Sequence, residues 1–129
     1  KIVEDANIAD IVRESIFKVV MIHPNMEKIK NQLNSVCDKT LCMQSEGSIY
    51  TLTNSDTTKG KTLKKLLEYL DIDANSVLAF GDNYNDISMF EVADGVAVEN
   101  AQESLKEVAK YLTKSNEDDG VSYFIQKNL

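Results

Sequence analysis

The sequence predicts an α/β protein in two parts: a small mixed α/β unit over residues 1–55 and a partial parallel sheet with helices over residues 56–129. Three observations lead there. After the polar patch "NSDTTKG" each strand-like run is separated from the next by a helical repeat, the signature of βαβ units with right-handed crossovers. The run Val77–Phe80 is apolar at every position, as strands buried on both faces are. Upstream, "TLCMQSEGSIYTLTNS" holds two short alternating runs about a glycine, which is how a hairpin reads.

In chain order, Ile8, Ile11 and Val12 fall at helical spacing, and Phe17 to Ile22 form a β-rich apolar run stopped by His23-Pro24. Pro24 suits a first helical turn, which Met26, Ile29, Leu33 and Val36 continue at helical intervals. The hairpin turns over Ser45-Glu46-Gly47-Ser48, with Tyr50 and Leu52 alternating against polar neighbours. Helix Lys59–Leu70 aligns Leu63, Leu66, Leu67 and Leu70. Strand Val77–Phe80, a short helix Ile87–Val92 and strand Gly95–Val98 follow. Leu105, Val108, Ala109 and Leu112 share one face of a further helix, and "GVSYFIQKNL" reads as a last one.

Composition narrows the function. With 129 residues, 43% of them hydrophobic and 27% charged, the chain can bury the core of a soluble globular protein. A net charge of −7, with the lysines spread along predicted helices, argues against a nucleic-acid partner. No apolar run reaches the roughly 18 to 20 residues that cross a bilayer, and no secretory signal is visible, so a cytoplasmic location without a membrane partner is expected. Cys37 and Cys42 lack a CxxC pair or a histidine cluster, so two free thiols are expected.

Chemistry concentrates where "VLAF" ends, at "GDNYND". Ligands of parallel sheets sit beyond the carboxyl ends of the strands, and Asp82 lies there, with Gly81 allowing a turn and Asn85 or Asp86 able to cap the next helix. Asp82 and Asp86, four positions apart, would repel each other unless a cation or solvent intervenes. Magnesium suits them, since it takes oxygen ligands and binds through one or two carboxylates, waters and a phosphate. Asp and Asn also gather in such turns simply as caps. A calcium loop starting at Asp82 is ruled out by Tyr84, Ile87 and Ala93 at its third, sixth and twelfth positions.

A second cluster is "TTKGKTL". It is not a nucleotide-binding P-loop, because Ser55 stands where the first glycine is required. Lys59 lies in the first turn of a helix capped by Thr57 or Thr58, where free amides, the helix dipole and an ammonium favour an anion such as phosphate. Lys61, Lys64 and Lys65 read as solvated face residues. A phosphate-binding lysine ahead of a magnesium-type acid loop is an arrangement suited to phosphoryl transfer.

The stretch "AFGDNYNDISMFEVADGVAVENA" closely resembles the last signature of the haloacid dehalogenase-like (HAD) phosphohydrolases, in particular their Cof-like branch with its GDxxND loop and following "NA" turn. "TTKGKTLKKLLEYLDI" resembles the branch's lysine motif and "SNEDDGV" its ending, so the resemblance covers about residues 57–129. It implies a Rossmann-like HAD core, C-terminal half, with residues 1–55 as the remnant of an α/β cap domain. It also implies that Lys59 holds the phosphoryl group, that Asp82 binds Mg²⁺, and that Asp86 with Asn85 orders the metal's waters and the loop. Asn100 falls on the "NA" turn as a supporting residue. The implied substrate is a small phosphorylated metabolite, either a phosphomonoester or a sugar phosphate.

The family's DxDGT nucleophile motif is missing. The only Asp-x-Asp, Asp71-Ile-Asp73, follows a helix and has no strand before it. The chain therefore reads as part of a longer phosphatase, inactive alone, because covalent catalysis needs an attacking carboxylate that a metal cannot replace. An unpaired strand edge beside Val77–Phe80 and exposed apolar surface are expected, and with them self-association. The alternative is a non-catalytic pseudoenzyme or a receiver-like interaction module. In receivers, however, the lysine follows the phosphorylated aspartate, whereas Lys59 precedes the acids.

Overall fold

The computed structural model describes residues 17–128. The expected helix at Ile8–Val12 lies outside them. Two three-stranded sheets make up the fold, and both parts are α/β, as expected.

The first sheet is antiparallel, in the order β1 (Val19–Ile22), β3 (Ile49–Asn54), β2 (Thr40–Glu46). Helix α1 (Met26–Val36) packs on it. Met26, Cys42 and Tyr50 form its buried centre, with Met21, Ile29, Leu33 and Leu52 around them. Tyr50 is buried with its hydroxyl satisfied, donating to Glu27 Oε2 at 2.9 Å. The hairpin turn is tighter than its sequence suggested: β2 runs on to Glu46, with a register shift between Gln44 and Glu46, and Gly47 turns at φ +49°. Phe17 lies before the strand, and Val36, at the end of the helical repeat, is 74% exposed because α1 stops there. Cys37 and Cys42 are both free thiols.

The second sheet is parallel, in the order β4 (Leu78–Gly81), β5 (Asp94–Val98), β6 (Tyr111–Thr113). Helix α2 (Lys59–Leu70) precedes it and has the bounds its leucine repeat predicts, with Thr58 as N-cap accepting from Lys61 N–H at 3.2 Å. Of its stripe only Leu67 is buried, while Leu66 and Leu70 are about half exposed. A 3₁₀ turn (Tyr84–Asp86) leads into the short helix α3 (Ile87–Phe90), and α4 (Glu103–Val108) joins β5 to β6. Helix α5 (Gly120–Asn128) ends the described chain. Ala97, Val98, Ala101 and Leu105 form the core, with Ile87, Phe90 and Ala109 against it. Phe124 of α5 meets the Phe80 ring edge-on at 5.7 Å.

One expected element is corrected. The helix predicted to reach Leu112 ends at Val108, and Leu112 lies in β6, paired with Ala97. Leu105 and Ala109 do face the core, but Lys110 N–H donates to Gly95 O at 3.0 Å and turns the chain into the sheet. A third strand against β5 satisfies backbone groups that another helical turn would leave on the open sheet edge. No helix of the described residues is long and apolar enough to cross a membrane.

Candidate active site

Each parallel strand delivers a polar residue just past its carboxyl end: Asp82 after β4, Asn100 after β5 and Asn116 after β6. Lys59, Asp82, Asp86 and Asn116 line one cavity of about 400 Å³ there, floored by Phe80, Val98 and Val121.

Why the chain folds this way locally follows from Asp86. Its side chain is only 3% exposed. Oδ2 accepts from the N–H groups of Asp82 at 3.0 Å and Asn83 at 3.1 Å, and Oδ1 accepts from Lys59 Nζ. Asn83 and Asp86 together form the capping box of the 3₁₀ turn, so the capping asparagine is Asn83 and not Asn85. Asp86 stands at the N-cap of α3 but makes no side-chain cap bond to that helix; its carboxylate instead reaches back to the amides of Asp82 and Asn83 at the start of the 3₁₀ turn. Gly81 is required for a different reason than turning: a Cβ there would lie 2.6 Å from that of Asp86. Burial pushes the Asp86 carboxyl pKa up, but the Lys59 hydrogen bond and the two amides outweigh it, leaving the pKa below the ordinary carboxylate value.

Lys59 reaches the loop across 27 positions of sequence and also lies 3.4 Å from Asn85 Oδ1. Its helix is anchored beside the loop, since Gly60 N–H donates to Ser88 Oγ at 3.0 Å. Asp82 is exposed, and among the described residues its carboxylate has no hydrogen-bond or ion-pair partner. Its backbone carbonyl is held by Gln102 N–H at 2.9 Å. Among the described residues Asn100 makes no side-chain hydrogen bond to the acids; its side chain bonds to Asn116. Asn116 and Asn83 were not singled out from sequence. The Asn-x-x-Asp spacing of Asn83 and Asp86 carried the capping signal, whereas nothing local to "SNEDDGV" shows that it returns to the site.

The donor chemistry fits a hard cation at Asp82, an unengaged oxygen ligand lining the cavity beside Lys59. Both oxygens of Asp86 are already engaged. Among the described residues no group of three or more His, Cys, Asp or Glu is placed to hold a metal, so a cation here would also need water, phosphate or ligands from elsewhere.

Compared with known proteins, the chain matches the model of the haloacid dehalogenase-like hydrolases over residues 1–125. It belongs to that family. The HAD relatives include the 5-amino-6-(5-phospho-D-ribitylamino)uracil phosphatase YwtE of Bacillus subtilis (strain 168), 38% identical over 90% of this chain and 42% of its own length. A solved HAD-like hydrolase from Bacteroides thetaiotaomicron superposes with a TM-score of 0.74 at 31% identity, covering 89% of this chain and 45% of that one. A HAD subclass IIB sugar phosphatase does so with a TM-score of 0.81 at 25% identity, covering 95% and 46%. The chain thus spans less than half the length of these relatives, and the Cof-like branch read from its motifs agrees with them.

Proposed function

We propose that the chain supplies the metal- and phosphate-binding half of a magnesium-dependent HAD phosphohydrolase acting on a small phosphorylated metabolite, a phosphomonoester or a sugar phosphate. The observation that carries this reading is the convergence of the Lys59 ammonium, the paired Asp86 and the open Asp82 carboxylate on one cavity at the carboxyl ends of parallel strands. In this reading Asp82 is the direct metal ligand, and a bound magnesium would supply charge neutralisation at the phosphoryl oxygens. Lys59 binds and orients the phosphoryl group. Asp86 holds Lys59 in place and, with Asn85, orders the loop and water around the metal.

Residues 1–55 are the remnant of a cap, and residues 56–129 are part of the catalytic core. The attacking carboxylate comes from the additional length that the relatives have. The free edge of β4 is where that part would pair, and in its absence the chain self-associates.

The test is turnover of a general phosphomonoester with magnesium. The longer protein is expected to turn over, and Asp82→Ala in it to lose activity by about a hundredfold or more, since a direct metal ligand should matter at least as much as the outer-shell groups whose loss costs about 10–100-fold. This chain alone is expected to be inactive. Turnover by the purified chain that disappears in Asp82→Ala would overturn the claim that the nucleophile lies elsewhere.

A further inference from the structure

Asn116 shares the cavity with Lys59, Asp82 and Asp86, yet none of the three holds it. Its Oδ1 accepts from Asn100 Nδ2 at 2.6 Å and from Ser115 Oγ at 3.4 Å, and its backbone N–H donates to Asn100 Oδ1 at 3.2 Å. Asn100 lies in the turn closed by Ala101 N–H on Val98 O at 2.9 Å, and the next residue, Gln102, donates its N–H to Asp82 O at 2.9 Å. One short turn therefore grips both walls of the cavity, Asp82 by its backbone and Asn116 by its amide. A primary amide has an accepting end and a donating end, and the accepting end of Asn116 is committed. Nδ2 is the end left to bond.

The loop has bonds of its own besides this clasp. Ser115 Oγ accepts from Glu117 N–H at 3.1 Å, Gly120 N–H donates to Ser115 O at 2.9 Å, and Thr113 Oγ1 donates to Gly120 O at 2.7 Å. The side-chain clasp thus adds orientation to a loop already braced by its own bonds.

We propose that Asn116 is a substrate-contacting residue whose Nδ2–H donates to a phosphoryl oxygen, and that Asn100 is its positioning residue, fixing which end of the amide faces the anion. The proposal rests on the phosphohydrolase reading of the same cavity. A neutral donor in the same cavity as Lys59 adds a charge-assisted hydrogen bond without a second cation.

Titrating the longer protein that contains this chain with inorganic phosphate in the presence of magnesium, followed by NMR of the side-chain amides, tests it. Phosphate should shift the Asn116 amide signal in the wild type. Asn116→Asp, which keeps the acceptor and replaces the donor with an anion, should weaken phosphate by about tenfold or more, one lost charge-assisted bond. Asn100→Asp, which replaces the donor to Asn116 Oδ1, should weaken phosphate by a smaller factor and leave thermal unfolding near wild type.

If Asn100 acts through Asn116, Asn100→Asp should add nothing to Asn116→Ala. Additive losses would assign Asn100 only a structural part and overturn its positioning role. Phosphate binding that depends on Lys59, tested with Lys59→Met, but not on Asn116 overturns this proposal and leaves the phosphohydrolase reading standing. No phosphate binding by the wild type overturns both.

Discussion

Asp86 is a buried carboxylate that holds the loop together by accepting from two backbone amides while facing an ammonium. Because Lys59 is 48% exposed, solvent screens part of that pairing, and the amides carry much of the stabilisation. Asp86→Asn is expected to cost about 1–3 kcal/mol near neutral pH, the range for disturbing a buried hydrogen-bonded group, seen as a lower urea midpoint. A pH dependence follows with a definite sign. The folded-state pKa is depressed below the ordinary Asp value of about 3.9, so the stabilisation is present above that value and is lost as pH falls through the folded-state pKa. Wild type should therefore lose stability more steeply than Asp86→Asn below about pH 4. Parallel curves for the two proteins would show that the carboxylate is not stabilised in the fold.

At the scale of the element, α2 is held by its two ends in different ways. Its start is capped by Thr58 and pressed against α3, where a Cβ on Gly60 would lie 1.9 Å from the Ser88 carbonyl oxygen. Backbone cannot move aside as a flexible side-chain tip does. Gly60→Ala is expected to destabilise by about 1–3 kcal/mol or more through overpacking, and to displace Lys59 from Asp86. Thr58→Ala should cost about 1 kcal/mol as a lost cap and leave that pairing in place. Urea midpoints together with the Lys59 side-chain NMR signal distinguish the two; an unchanged midpoint for Gly60→Ala would mean that helix and loop are not in contact. The C-terminal end of α2 is stopped by Asp71 in the left-handed conformation at φ +54°, whose amide bonds back to Glu68 O.

For the whole molecule, the consequential feature is the open side of the parallel sheet. With the order β4-β5-β6, the described residues provide no strand against the outer edge of β4, the strand that leads into the acid loop. Apolar side chains of α5, among them Val121 and Ile125, are about two fifths exposed. A backbone edge with unpaired donors and acceptors next to apolar surface favours association. Sedimentation velocity over a range of concentrations should show reversible association. A monomer at every concentration would mean that this edge is protected in some other way.

The sequence by itself determined the local features. An apolar strand ending in glycine and acids, a helix from Lys59 to Leu70 started by a threonine, and the change from hairpin to alternating strands and helices are all written in neighbouring residues, whereas the structure selects Thr58 over Thr57 as the cap and buries only Ala79 of that strand. Tertiary structure alone decided what those residues meet. Lys59 and Asp86 pair across 27 positions, and Asn100 and Asn116 across 16, separations that no periodic pattern encodes. The three-residue β6 is too short to impose an alternation of its own, and it exists because β5 offers it hydrogen bonds. Gly81 looked like a turn residue, but it is needed for the room that Asp86 occupies. Propensity and spacing act over a few residues, whereas a site at the ends of parallel strands is assembled by the sheet, which brings distant loops to one rim.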